Sequence, residues 1–160
     1  MYQKCAALLG LLIIASAGSS KASANDCDDL IGRHMAGEAM LAAQFVALAE
    51  KAGMAPSEIN ATLKKISENS AIEEFWITDP DGHAYLTNTG LDFTFGPDAA
   101  KQPQASPFRA LLDGRQKIVI QEPRKREINN RIFKYVGVAG VDKPRIVQVG
   151  VSDKNLPVCK

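Results

Sequence analysis

The chain has 160 residues, 46% hydrophobic and 23% charged, with a formal net charge of +1. These are ordinary values for one globular domain; they exclude a disordered, collagen-like or coiled-coil chain and give no sign of a polyanion-binding surface. The average conceals a change of character near residue 24.

Residues 1–24 read MYQKCAALLGLLIIASAGSSKASA. Lys4 supplies a basic start, an apolar stretch runs from Cys5 to Ala15, and small residues lead to Ala22-Ser23-Ala24. This is the pattern of a secretory signal peptide. The stretch is shorter than the roughly 20 apolar residues that span a membrane; an uncleaved anchor is the alternative. Residues 25–160 then form a periplasmic or secreted protein, whose charge is −1 once Lys4 and Lys21 are gone. It has no basic stripe for nucleic acid. Cys27 and Cys159 remain at its two ends, an even pair suited to an oxidising compartment. A disulfide between them requires the termini to meet; two free thiols are the alternative. No CxxC or Cys/His cluster points to a metal, and no cofactor is expected.

One long helix is expected over Asp28 to Ala52, where Leu30, Ile31, Met35, Met40, Leu41, Phe45, Leu48 and Ala49 form a broad apolar stripe ending at Gly53. A second helix opens near Pro56, carries Ile59, Leu63 and Ile66 on one side, and ends at Asn69-Ser70. The period then becomes two. Strands are expected at Ile72 to Thr78 and His83 to Thr87, joined by the turn Asp79-Pro80-Asp81-Gly82. Residues 89–115 are irregular, apart from a short helix at Pro107 to Asp113. Three strands follow: Gln116 to Ile128, Arg131 to Val141 and Arg145 to Ser152. Asn129-Asn130 suits a two-residue hairpin turn, and Pro123 places the third strand at a sheet edge. Two helices before five strands mean an α+β fold with a mostly antiparallel sheet.

The long helix, the segment Phe75-Trp76-Ile77-Thr78-Asp79-Pro80-Asp81-Gly82-His83-Ala84-Tyr85, the loop with Ser106-Pro107-Phe108 and the strand Phe133-Lys134-Tyr135-Val136-Gly137-Val138 together resemble a single Cache domain. This is the extracytoplasmic PAS-like sensor module of bacterial chemoreceptors and histidine kinases. The resemblance covers residues 28–152 and implies a five-stranded antiparallel sheet of order 2-1-5-4-3 with the long helix on one face. It implies a small-molecule ligand, such as an amino acid or organic acid, on the other face under the loop after the second strand. It also implies pairing of two copies through the long helix. Receptors of this family continue into a transmembrane helix, whereas this chain ends at Lys160, so a free-standing domain is expected.

With Asn129-Asn130 as the turn, Arg126 faces Phe133 and Arg124 faces Tyr135, all four on one side of the sheet. Lys125 and Lys134 fall on the other side, taken as solvent. Two guanidiniums beside two aromatics suit a carboxylate; a solvated hairpin tip with arginines on Glu122 or Glu127 is the alternative. Trp76 and Thr78, with Tyr85 of the second strand, supply an aromatic cage with polar tips, and Phe93, Phe95 and Phe108 a roof; simple core packing is the competing reading. Gln148, between Val147 and Val149 in a central strand, needs a hydrogen-bond partner in the protein or in a ligand. His34 and Glu38 are too few for a metal. Asp79 and Asp81 begin a calcium-like loop, but its twelfth position is Gly90. The function expected is a non-enzymatic sensor or binding domain for a small anionic metabolite or amino acid. The alternative is an accessory subunit on a membrane sensor protein or transporter, which calls for an exposed apolar patch on the long helix.

Overall fold

The computed structural model describes residues 24–159; apart from Ala24, the expected secretory leader lies outside them. Helix α1 runs from Ala24–Lys51 and α2 from Pro56–Ser67. Pro56 opens α2, and the Glu58 carboxylate accepts the Ala55 N–H at 2.8 Å. The strands are β1 (Glu74–Thr78), β2 (Ala84–Thr87), β3 (Ile118–Ile120), β4 (Arg124–Lys125), β5 (Ile132–Ala139) and β6 (Ile146–Ser152), with a 3-10 helix at Ser106–Leu111. No helix among the described residues is long and apolar enough to cross a membrane.

The sheet is antiparallel, ordered β2-β1-β6-β5-β3, with β4 also on β5. Strands β3 and β4 are one edge strand broken around Pro123, so the α+β fold and strand order read from the sequence hold. Gln121 N–H bonds Tyr135 C=O at 3.1 Å, whereas Arg124 already lies opposite Phe133. Two residues, Glu122 and Pro123, therefore oppose Lys134 alone, a bulge at the proline that has no N–H to give.

One face of the sheet presents Phe75, Ile77, Val136, Val138, Val147, Val149 and Val151 to α1. The inward stripe of α1 is small: Ala36, Ala39, Ala42, Ala43 and Ala49 are buried beside Met35 and Val46. Buried cations fasten both ends of that helix. Near its N-terminus, Lys134 of β5 donates to both oxygens of Asp28, at 3.0 and 2.9 Å. Its side chain is fully buried, which corrects the expectation that Lys134 faces solvent; the helix covers it, whereas Lys125 is exposed. Near the C-terminus, buried Arg145 binds Glu50 at 2.7 Å, Asp142 at 2.8 Å and the Tyr85 hydroxyl at 2.8 Å. Burial pushes the Glu50 carboxyl up, but hydrogen bonds from Arg145, Tyr85 and Lys143 outweigh it and hold the group at about 2.

A second correction concerns the β4–β5 hairpin. Asn130 N–H bonds Arg126 C=O at 3.1 Å and Arg126 N–H bonds Arg131 C=O at 3.0 Å. The turn is thus Glu127 to Asn130, with only Asn130 at positive φ (60°). Asn129 lies within the turn without positive φ; its side-chain Oδ1 accepts from Arg126 Nε at 2.8 Å and Arg131 N–H at 3.2 Å. Arg126 pairs with Arg131, and Arg124 with Phe133. The slip is by two residues, so each side chain keeps its expected face.

Cys27 and Cys159 form a disulfide with Cα atoms 5.6 Å apart. It joins the start of α1 to the chain's return past β6 and suits an oxidising compartment. Replacing both cysteines by serine is expected to lower unfolding stability by up to about 5 kcal/mol in urea titrations, because the bridge closes a loop of more than 100 residues.

Because Glu50 titrates lower in the folded chain than in the unfolded one, its contribution is complete above about pH 4.5 and is lost as pH falls towards about 2. Unfolding titrations across that window are expected to show this loss in the native sequence and a reduced slope in Glu50→Gln.

Candidate functional site

Alternation along three strands assembles the face opposite α1. Across β1, β6 and β5, Trp76 stands beside Gln148 and Gln148 beside Gly137; in the next row Glu74 stands beside Gly150 and Gly150 beside Tyr135. The two glycines decide the packing. A Cβ at Gly137 would stand 2.7 Å from the Phe108 ring, so the 3-10 helix seats that ring on bare backbone. The Tyr135 ring likewise lies across Gly150 and thereby reaches Glu74.

Glu74 is the centre of this face. Its Oε2 accepts from Trp76 Nε1 at 3.0 Å and from the Tyr135 hydroxyl at 2.7 Å, and its Oε1 is bonded to Arg126 Nη1. The Arg126 guanidinium carbon lies 4.4 Å from the Phe133 ring centroid, and Phe133 stacks on Tyr135 with centroids 5.3 Å apart. Glu74 is 7% exposed and Arg126 5%, so the pair is desolvated on both sides. Burial, then the adjacent Glu74 carboxylate, pushes the Tyr135 hydroxyl above the usual phenol range.

The expected roof is also in place. Trp76, Phe93, Phe95 and Phe108 form an edge-to-face chain with centroids 5.7, 5.1 and 6.2 Å apart. Arg109 ties this roof to the β1–β2 turn, donating to Asp81 C=O at 2.5 Å and Phe95 C=O at 3.1 Å. In that turn Asp79 Oδ1 accepts the N–H groups of Asp81 and His83, at 2.9 and 3.0 Å. At the edge strand, Gln121 Nε2 donates to Gln104 C=O at 2.7 Å, and Glu127 accepts Gln104 N–H at 2.6 Å.

Of the residues expected to bind ligand, Trp76, Phe95, Phe108, Arg126, Phe133, Tyr135 and Gln148 are thus brought to one buried face. Three stand apart. Thr78 is buried, but its hydroxyl is used by backbone, donating to Asp79 C=O and accepting Ile146 N–H at 3.0 Å. Arg124 is exposed, with one long contact of 3.5 Å to Pro103 C=O. Tyr85 is a correction: the β1–β2 register shifts between Ile77 and Thr78, which releases Tyr85 from the alternation. Its hydroxyl donates to Glu50 on the helix side.

Gln148 is 2% exposed and its Nε2 has no hydrogen-bond partner. Reasoning from sequence missed Glu74, although alternation places it on the same face as Trp76 and Thr78. It also missed a cavity on the helix side.

That cavity, about 350 Å³ in volume, lies between α1, α2 and β1. Ala42, Phe45, Leu63, Ile72 and Phe75 form its walls, Leu41 and Ile66 its rim, and Glu38 and Ser70 its polar groups. Burial against these walls raises the Glu38 carboxyl above its ordinary value. The arrangement suits an apolar body with one polar or basic end.

No protein-family model matches the chain, and comparison with curated proteins finds no significant relative.

Removing one partner of the Glu74–Arg126 pair strands the other as a buried charge. Arg126→Met is expected to cost about 3–5 kcal/mol of unfolding stability. Adding Glu74→Gln should recover most of that loss, since the amide still accepts from Trp76 and Tyr135. A urea-unfolding double-mutant cycle measures both.

Proposed function

We propose that the chain is an extracytoplasmic small-molecule-binding domain of the Cache kind, and that its ligand occupies the apolar cavity between α1 and α2. The observation that supports this best is the contrast between the two faces. On the roofed face the guanidinium expected to hold an anion already faces Glu74, so an anionic metabolite would have to displace a buried carboxylate. On the helix side a cavity of ligand size offers apolar walls and a carboxyl. That chemistry favours an amphiphile with an apolar body and a basic or hydrogen-bonding head over a small anion.

A second reading is an accessory subunit that docks on a membrane sensor protein. The exposed leucines of α1, Leu30, Leu41 and Leu48, favour it, since an interaction module presents such a patch.

A thermal-shift panel of alkyl amines, alkyl alcohols, fatty acids, amino acids and short carboxylates separates the ligand classes. An amphiphilic amine at 100 times its dissociation constant is expected to add about 2.7 kcal/mol and raise the melting temperature by several degrees. Ile66→Glu at the cavity rim should abolish the shift. Hits confined to short carboxylates and lost with Arg126→Ala would return the site to the roofed face; no hit in any class would favour the accessory-subunit reading.

A further inference from the structure

Helix α1 borders a second cavity, of about 240 Å³. The first cavity takes Glu38 and the turns of α1 that follow it, the second Glu38 and the turns that precede it. Ile72 also lines both, so the two are neighbours and the Glu38 carboxylate stands where they meet. Met35, Val151, Leu156 and Pro157 make the second cavity apolar, with His34 and Asn155 as its polar groups. Its wall at residues 155–157 is fastened on both sides. Leu156 N–H donates to Ser152 C=O at 3.0 Å, Asn155 Nδ2 donates to Glu73 Oε1 at 3.0 Å, and Cys159 is bridged to Cys27. At this volume the second cavity is smaller than the roughly 300 Å³ at which small-molecule pockets begin. It is an annex of the first rather than a site of its own.

We propose that the two cavities form one site, whose ligand is a secondary ammonium ion with two apolar arms, its charge at Glu38 and one arm in each cavity. Charge complementarity selects the cation: among the described residues that line the cavities, Glu38 carries the only carboxylate and none is Lys or Arg. His34, one turn before Glu38, is the one other titratable group there. Position selects the two arms. A carboxylate at the end of a single pocket suits a primary amine, whereas one standing between two apolar chambers suits a nitrogen from which chains leave in two directions. Such a nitrogen keeps two N–H donors for the carboxylate, a charge-assisted pairing. The inference rests on the reading that the ligand lies between α1 and α2, and narrows its class.

Isothermal titration calorimetry of the exported protein, expressed from its full coding sequence, tests this with butylamine, dibutylamine and the uncharged N-butylbutanamide at neutral pH. Dibutylamine is expected to bind at least about tenfold more tightly than butylamine, since the second chain brings further methylenes out of water. It should also bind more tightly than the amide, and Glu38→Gln should remove that preference. Ala71 and Pro157 are exposed and line the second cavity alone, so the fold tolerates change at either. Ala71→Trp, and separately Pro157→Trp from the other wall, should fill the annex and erase the advantage of dibutylamine while butylamine still binds. Equal binding of the two amines, or an advantage that survives both tryptophan variants, would overturn the two-armed site and leave the amphiphile reading standing. Equal binding of dibutylamine and the amide would overturn the assignment of the charge to Glu38. Absence of binding by either amine would overturn this inference together with the reading beneath it.

Discussion

A buried charge must meet an opposite one, and this fold satisfies that requirement three times. Arg126, Lys134 and Arg145 are each at most 5% exposed, and each meets a carboxylate carried by a distant part of the chain. Glu74 of β1 reaches Arg126 beside the hairpin, Asp28 of α1 reaches Lys134 in β5, and Glu50 of α1 reaches Arg145 before β6. Hydrophobic burial can hold a helix on a sheet over a range of positions, since it is not directional. The ion pairs are directional, and a mispositioned one leaves a charge in a medium where it costs several kcal/mol. Lys134 and Arg145 therefore fix where along the sheet α1 lies, and Arg126 fixes where the hairpin tip folds over β1.

The same requirement decides what the roofed face can do. Aromatic rings, a guanidinium and a central glutamine are the composition of a ligand pocket, and they converge as the alternation requires. Convergence is not vacancy. Gly137 and Gly150 let Phe108 and Tyr135 settle against the backbone, and Glu74 then occupies the position that a ligand carboxylate would take. Gln148 Nε2 at its centre is left without a bond, as is Glu127 Oε2 at its edge. A carboxylate supplied by the chain itself makes this face a polar core, and the open apolar volume lies across the sheet between the helices.

What the sequence makes legible follows from the range of the physics. Local signals survive: Pro56 and Gly53 bound α2 and α1, Asp79-Pro80-Asp81-Gly82 makes its turn, and Pro123 breaks the edge strand. Alternation reports faces, so Arg126, Phe133 and Tyr135 fall together even though the hairpin slips by two residues; a period of two is blind to such a slip. Asn129-Asn130 misleads because both residues tolerate positive φ, and only the Arg126–Asn129 hydrogen bond decides which one turns. Tyr85 is lost to a bulge, which breaks alternation without a mark in the sequence. Lys134 reads as exposed because its partner, Asp28, is 106 residues away. No local pattern announces such a pairing.

Helix α1 shows how these constraints combine. It must lie close enough to the sheet for Asp28 and Glu50 to reach their cations at under 3 Å, and that proximity demands alanines on its inner side. Close packing with small side chains buries less apolar area per residue than leucine would, and burial is worth roughly 25 cal/mol per Å². Leu30, Leu41 and Leu48 of α1 then lie outside the core, Leu41 at the cavity rim. A helix whose position is fixed by charge at its ends can leave other apolar side chains exposed. In this chain that surface comprises a concave part beside α2 and the exposed side chains of Leu30, Leu41 and Leu48. The ion pairs that fasten α1 to the sheet thus also set which of its side chains remain available for recognition.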